Sequence, residues 1–179
     1  MKYFFAKKNT GFTLLETLVA ISILSLSIAG AFSVAQSGLS SAILARDQIV
    51  AFQLAQEAVE LVRNIRDNNT HQNQDWLTGL TSCIDVNCAV NIKTRLVAPC
   101  TDACKVQKDA QGFYIQNSSG SNPTGFKRTV RLEKVPSTVS IPDAQEVKIT
   151  VKMEWQKGSL VRDFTVVEHM FNWQEGYPL

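Results

Sequence analysis

The sequence is poor in the residues and motifs from which most active sites are built. It has only two histidines, His71 and His169, and it contains no H-E-x-x-H motif, no G-x-S-x-G motif and no phosphate-binding glycine loop. Glu168 and His169 are neighbours in a predicted strand, and we interpret them as ordinary sheet-surface residues rather than as an acid–base or metal pair. The sequence therefore predicts no enzyme, no cofactor and no metal site.

An excess of positive charge is also missing beyond the first few residues. Three of the 18 basic residues precede Gly11 and no acidic residue does, so residues 12–179 carry 15 basic and 16 acidic groups. Nucleic-acid-binding surfaces usually interleave basic with aromatic residues, and no such stripe is visible. Lys127, Arg128 and Arg131 form the only basic cluster, and solvated sheet residues are their simpler interpretation. Nucleic acid is therefore disfavoured as a partner.

Charge is absent altogether from one long stretch near the N-terminus. Thr17–Ala35 is 19 residues without a charged side chain, and as a helix it would be about 28 Å long, close to the thickness of a bilayer core. Lysines flank only its N-terminal side, so the positive-inside rule places the N-terminus in the cytoplasm and the C-terminus outside. The sequence predicts a single-pass helix in the cytoplasmic membrane. Glu16 stands at its start, where a carboxylate is costly in lipid and is a candidate for a function.

The residues around Glu16 carry a specific pattern. The segment KNTGFTLLE, residues 8–16, has a basic leader, then Gly11 and Phe12, then Glu16 as the fifth residue after the glycine, and the apolar run follows. This pattern resembles the N-terminal signal of type IV prepilins and type II secretion pseudopilins. The resemblance implies that a prepilin peptidase cuts between Gly11 and Phe12 and methylates the new amino group of Phe12.

The resemblance also implies a role for Glu16 in assembly. A cationic N-terminus on an incoming subunit and a carboxylate in an apolar filament core relieve each other's desolvation cost. Two plainer interpretations stay open at this stage: Glu16 could extend to the membrane interface, and Gly11 could be an ordinary glycine that precedes a helix.

The helix is predicted to continue beyond the membrane. From Leu39 to Ile65 apolar residues recur at steps of three, four or seven, which is typical of an amphipathic helix. We predict a leader peptide over residues 1–11, a transmembrane and assembly helix over 12–36 and an amphipathic helix over 37–67. The turn-forming run 68–73 ends the helix.

Four cysteines follow within 22 residues, at Cys83, Cys88, Cys100 and Cys104. They lie after the membrane segment and so outside the cytoplasm, which favours disulfides over a zinc site or free buried thiols. Four cysteines allow three pairings, and the short loops that join Cys83 to Cys88 and Cys100 to Cys104 are our first hypothesis. Residues 68–125 are predicted as a disulfide-containing loop region.

The last part of the chain, residues 126–179, is predicted to form an antiparallel sheet. The chain has five strand candidates in all. Two precede this region, 91–98 and 112–117, and three lie within it, 126–134, 147–155 and 160–170. The clearest is 147–155, which alternates apolar and polar residues and is joined to the next strand by a tight turn. Arg128 falls on the apolar face of its strand and is interpreted as an exception near a strand end. The predicted fold is α+β, a long N-terminal helix packed on a small antiparallel sheet, as in pilins.

Together these patterns predict a structural subunit. The resemblance implies a minor pilin or pseudopilin that assembles into a type IV pilus-like or type II secretion filament at the cell surface or across the envelope. Its implied partners are the prepilin peptidase, other pilins, an inner-membrane assembly platform and, before assembly, membrane lipid. Two alternatives are a pilin-like DNA-uptake subunit and a membrane-anchored extracellular enzyme.

Overall fold

The computed structural model describes residues 11–117, 122–136 and 145–172. It consists of one long helix, α1 (Leu14–His71), a short 3₁₀ turn (Thr81–Cys83) and seven strands in these ranges. The strands are β1 (Cys88–Asn91), β2 (Leu96–Pro99), β3 (Lys105–Lys108), β4 (Tyr114–Ile115), β5 (Asn122–Lys134), β6 (Glu146–Lys157) and β7 (Leu160–Phe171). Most of the predicted leader, 1–10, and the C-terminal end of the predicted sheet region, 173–179, lie outside the described residues.

The chain divides into two compact units, Met1–Asp47 and Gln48–Leu179. In the first unit the described residues are helical from Leu14 onwards, and apolar side chains such as Leu18 and Ile28 are exposed around the whole helix. The apolar part of α1 is long enough to cross a membrane, and none of it is buried within the protein. A helix that is apolar all round needs lipid or other helices to cover it.

In the second unit α1 has one buried face. The buried positions are spaced by three or four residues, as the amphipathic pattern predicts, and they are Ala51, Leu54, Ala55, Ala58, Val59, Leu61 and Val62. This face packs on the antiparallel sheet, so the α+β fold is confirmed.

The helix ends at His71 rather than near residue 67. Asn69 is buried, and its side-chain amide donates to the carbonyls of Trp76 and Thr78, at 3.2 and 2.7 Å. Asn73 follows with φ 53°, a left-handed conformation that asparagine tolerates and that ends helices. The polar run therefore forms the helix end itself rather than a loop after it.

Strand β5 is the centre of the sheet. It pairs with β6 along Phe126–Lys134, with β3 near its start and with β1 at Val130, and β6 pairs in turn with β7 over its whole length; all of these pairs are antiparallel. The predicted alternation in β6 is confirmed, because its inward residues are fully or almost fully buried: Val147, Ile149, Val151, Met153 and Trp155.

The region before β5 departs from the predicted strands. The single strand predicted over 91–98 is wrong: β1 and β2 form a hairpin whose turn contains Arg95 at φ 52°. The strand predicted over 112–117 is reduced to Tyr114–Ile115, and β3 was not predicted at all. Residues 68–125 thus contain four short strands and the start of β5, where the sequence predicted a disulfide-containing loop region with two strand candidates.

The interpretation of Arg128 is also wrong. It lies in the interior of β5, not near its end, and its side chain is completely buried. Lys127 and Arg131 are on the opposite, outer face of the strand, because side chains alternate along it. The basic cluster suggested by the sequence therefore does not form.

Candidate processing and assembly site

The predicted cleavage site lies in a short non-helical segment before α1. Gly11 and Phe12 are exposed, Phe12 by 76%, and the helix begins at Leu14. A Cβ atom added to Gly11 would have no neighbour within 4 Å. Packing among the residues that the structure describes therefore does not require glycine at position 11.

Thr13 caps the first turn of α1. Its Oγ1 accepts a hydrogen bond from the Glu16 backbone N–H at 3.3 Å, and its carbonyl accepts from the N–H groups of Glu16 and Thr17, at 3.1 and 3.2 Å. The spacing Thr-x-x-Glu is that of a capping box. The sequence predictions did not include this cap, although the spacing of Thr13 and Glu16 indicates it.

The position of Glu16 in this turn has an electrostatic consequence. A carboxylate in the first turn interacts favourably with the positive end of the helix dipole. Glu16 is exposed, so the carboxylate is presented outward while the dipole favours its charge.

Three of the five hydroxyl groups within residues 17–35 are satisfied locally. Thr17 Oγ1, Ser22 Oγ and Ser27 Oγ each donate to a backbone carbonyl three or four residues earlier, at 2.8 Å. An unpaired hydroxyl in lipid would cost free energy, and these bonds remove that cost. These three hydroxyl groups are thus compatible with a membrane.

A buried arginine connects α1 to the sheet. Arg128 Nε donates to Gln116 Oε1 at 2.8 Å, and Nη2 donates to the Val90 carbonyl at 2.9 Å. Nη1 reaches α1, where it donates to the Leu54 carbonyl at 2.9 Å and to Glu57 Oε2 at 3.0 Å. One side chain thus joins the helix, β1 and the segment after β4.

Gln116 completes this network and is itself fully buried. Its Nε2 donates to the carbonyls of Cys104 and Arg128, at 2.7 and 2.8 Å, and its Oε1 also accepts from the Val90 N–H at 3.1 Å. Burial raises the pKa of the Glu57 carboxyl, and the charge and hydrogen bond of Arg128 oppose that rise. Burial likewise lowers the pKa of Arg128, and Glu57 opposes the change.

All four cysteines form disulfides. Cys83 is bonded to Cys88, which ties the 3₁₀ turn to β1, and Cys100 is bonded to Cys104, which closes the loop between β2 and β3. No cysteine is free. The thiolate ligands that a zinc site would need are thus already in covalent bonds.

Glu168 and His169 point to opposite faces of β7. Glu168 forms an ion pair with Arg63 of α1, whereas His169 pairs with Glu146 on the neighbouring strand. His71 is exposed at the end of α1. Each of the two side chains therefore has a structural partner, Glu168 on the helix and His169 on the neighbouring strand.

Comparison with known families gives one result. Residues 6–32 match the model described as the prokaryotic N-terminal methylation motif. Neither the curated proteins nor the solved structures include a match to this chain. The motif marks the chain as a prepilin-like substrate and implies processing by a prepilin peptidase and assembly with other pilins. Proteins with this motif are structural rather than enzymatic, and the motif and the apolar helix together support membrane anchoring. In its methylation motif, its long apolar helix and its disulfide-bonded sheet, this chain is similar to type IV pilins.

Proposed function

We propose that the protein is a minor pilin or type II secretion pseudopilin. The observation that carries the proposal is the methylation motif, in which Gly11, Phe12 and Glu16 stand in register before the apolar segment. The prepilin peptidase cuts between Gly11 and Phe12 and methylates the Phe12 amino group. The mature chain then begins at Phe12.

The geometry of the segment supports this processing. A protease needs an extended and accessible peptide, and the Gly11–Phe12 bond lies before the first helical residue with both residues exposed. A glycine also leaves room for enzyme groups on both sides of the chain. The site is thus open to the enzyme without unfolding of α1.

In the proposed cycle the mature subunit waits in the cytoplasmic membrane. It is anchored by one helix with its N-terminus inside and its sheet domain outside, and the inner-membrane assembly platform transfers it to the filament. The apolar surface of α1 leaves lipid only when other pilin helices replace the lipid. Glu16 attracts the methylated, cationic N-terminus of a neighbouring subunit, because each charge relieves the burial cost of the other.

The DNA-uptake alternative gains no support from the sheet. It relied on Lys127, Arg128 and Arg131 as a cluster, and Arg128 is buried in bonds to α1 and β1. Lys127 and Arg131 are each engaged by acidic neighbours.

Intact-mass measurement of the protein from its host membrane tests the processing step. We expect a chain of residues 12–179 plus one methyl group, and a Gly11→Ala variant that stays at full length. Gly30→Ala is the matched control, because an added Cβ at either glycine has no neighbour within 4 Å. The control is expected to be processed normally. A cut after Ala35, or an unprocessed wild-type protein, would overturn the proposal.

A further inference from the structure

Strand β7 forms one border of the sheet. It is 12 residues long and pairs with β6 without interruption from Leu160 to Phe171, and no other described strand pairs with it. Proline, lysine and bulges are common means by which natural proteins keep a sheet edge from pairing. Strand β7 contains neither proline nor lysine, and its pairing with β6 has no bulge. A long regular edge of this kind can accept another strand.

Hydrogen bonds at the end of β7 show which backbone groups lie on its free edge. The Asn172 N–H donates to the Gln145 carbonyl at 2.9 Å, so Asn172 directs its backbone groups towards β6. Phe171 does the opposite, because its carbonyl accepts from Arg66 of α1. Successive residues of an antiparallel strand alternate in this respect. The residues that direct N–H and C=O away from β6 are therefore Val161, Asp163, Thr165, Val167, His169 and Phe171.

Apolar side chains are exposed on both faces of the sheet beside this edge. On the face away from α1, Val161, Val167 and Phe171 are exposed by 66%, 54% and 51%. On the face towards α1, Phe164 is only partly buried, and Phe52, whose ring centroid lies 6.1 Å from that of Phe164, is 50% exposed. A strand added to β7 would cover apolar surface on both faces and would pair the backbone groups between them.

Other copies of this chain are poor candidates for the added strand. The other borders of the sheet are β2 and β4, which have only four and two residues and cannot cover β7. Two β7 edges pair with each other only about a twofold axis, whereas the head-to-tail contacts of a filament join different surfaces. This step rests on the proposed function, in which every subunit enters the filament from the same membrane.

Two charged residues of β7 indicate the chemistry of the partner. Arg162 and Asp163 are exposed, and in the described part of the chain neither side chain forms a hydrogen bond or an ion pair. Asp163 stands opposite Glu154, whose carboxylate is already engaged by Lys127 and Lys152. Opposite charges on facing strands favour pairing and like charges oppose it. A matching strand carries a basic residue opposite Asp163 and an acidic residue opposite Arg162.

We propose that the free edge of β7 binds an extended segment of a different protein as an additional antiparallel strand. The segment has apolar side chains towards both sheet faces and the two charges that complement Arg162 and Asp163. Main-chain hydrogen bonds to β7 hold it in place, and its side chains decide which segment fits. The subunit thereby attaches a non-identical component to the filament.

Binding of a designed peptide tests this proposal. The probe is a fluorescent synthetic peptide as long as residues 161–171 that alternates valine and threonine, with lysine to face Asp163 and glutamate to face Arg162. Its affinity for the full-length protein in detergent micelles is measured by fluorescence anisotropy. Two further peptides carry equal numbers of N-methyl groups, either on the amides that face β7 or on those that face away.

We expect methylation of the amides that face β7 to weaken binding more than tenfold, because several main-chain hydrogen bonds are lost. The peptide methylated on the other side is the matched control and should bind like the unmodified one. Equal weakening of both peptides, or no binding of the unmodified peptide to the wild type, would overturn the proposal.

An exchange of charge tests the register. Asp163→Lys should weaken binding about fivefold, and a peptide with glutamate in place of its lysine should restore the affinity. Asp102→Lys makes the same change at an exposed aspartate in the loop between β2 and β3 and should leave the affinity of both peptides unchanged. An undiminished affinity in the Asp163 variant, or a loss that the second peptide does not restore, would reject this alignment along β7 and with it the proposal.

Other occupants of the edge would give different results. Binding that requires deletion of residues 173–179 would show that the chain's own C-terminal segment fills the edge. Self-association of the protein that the peptide displaces would show that a second copy does. Either result would reject a different protein as the occupant. The Gly11→Ala variant should bind the peptide like the wild type, so failure of the proposed processing and failure of this inference are distinguishable.

Discussion

Arg128 occupies a position of β5 at which the strand's alternation calls for an apolar side chain. The position holds an arginine because acceptors surround it: two backbone carbonyls, a glutamine amide oxygen and a carboxylate. Replacing a buried ion pair with apolar residues is often neutral, so net stability does not explain the arginine. Its bonds to Leu54 and Glu57 do have a specific effect, since they fix one turn of α1 over β5.

The buried arginine gives a stability prediction. Arg128→Met leaves the Gln116 oxygen and two carbonyls with fewer partners and deprives Glu57 of its counter-charge, so we expect a loss of about 3–5 kcal/mol. Urea unfolding of the full-length protein in detergent, followed by fluorescence of the buried Trp76 and Trp155, measures it. Arg131→Met, on the outer face of the same strand, should cost less than about 1 kcal/mol. Similar costs for the two variants would contradict the importance of the network.

The cap at Thr13 gives a second prediction. Thr13→Ala removes the oxygen that accepts from the Glu16 N–H and should weaken the first turn of α1 by about 1 kcal/mol. Amide hydrogen exchange at Glu16 and Thr17 in detergent micelles should then be faster than in the wild type. Thr13→Ser keeps the hydroxyl and should exchange like the wild type. Unchanged exchange in the alanine variant would show that the cap is dispensable.

At the scale of elements, the sequence predicts well where a regular pattern is long. The alternation of β6 specifies both the strand and its buried face, and the turn at Gly158, φ 60°, follows from the glycine. The β1–β2 hairpin was missed because its turn, residues 92–95, contains neither glycine nor proline. Strand β3 is only four residues long and has a single buried side chain, Val106, so no alternation could reveal it.

The two disulfides should differ in their accessibility to reductant. Cys83 and Cys88 are fully buried, whereas Cys100 is partly exposed. A thiolate must reach the sulfur that it attacks, so mild reduction should open the Cys100–Cys104 bond first. Timed alkylation with peptide mass mapping reads the order directly. Opening of Cys83–Cys88 first, or of both together, would mean that local unfolding and not exposure governs the reaction.

The second disulfide also has a calculable effect on stability. Its loop is short, so the chain-entropy model gives only about 2 kcal/mol. Cys104, however, also offers the carbonyl that accepts from Gln116 and from the Arg128 N–H, at 2.7 and 3.0 Å. We expect the double variant Cys100→Ser, Cys104→Ser to lose at least about 2 kcal/mol in urea unfolding without reductant. A smaller loss would show that the loop keeps its shape without the bond.

For the whole molecule, the sequence reveals the parts of the site that are contiguous and not the parts that folding assembles. Gly11, Phe12 and Glu16 lie within six residues, so their register is readable directly. The Arg128 network joins residues up to 74 positions apart. No local pattern indicates which glutamine or carbonyl will meet the arginine, and only the packed structure supplies them.

The proposed assembly role of Glu16 is a property of the whole filament. Glu16→Ala leaves the apolar segment of α1 unchanged, so membrane insertion should stay intact. In a filament core the neighbouring cationic N-terminus would then lack its partner, at a cost of about 2.5 kcal/mol or more, which is more than tenfold in incorporation. Quantitative immunoblotting of sheared filaments against membrane fractions measures both pools. Glu60→Ala removes an exposed carboxylate elsewhere on the same helix and should assemble normally. Equal incorporation of the two variants would leave the acid at position 16 without an assembly function.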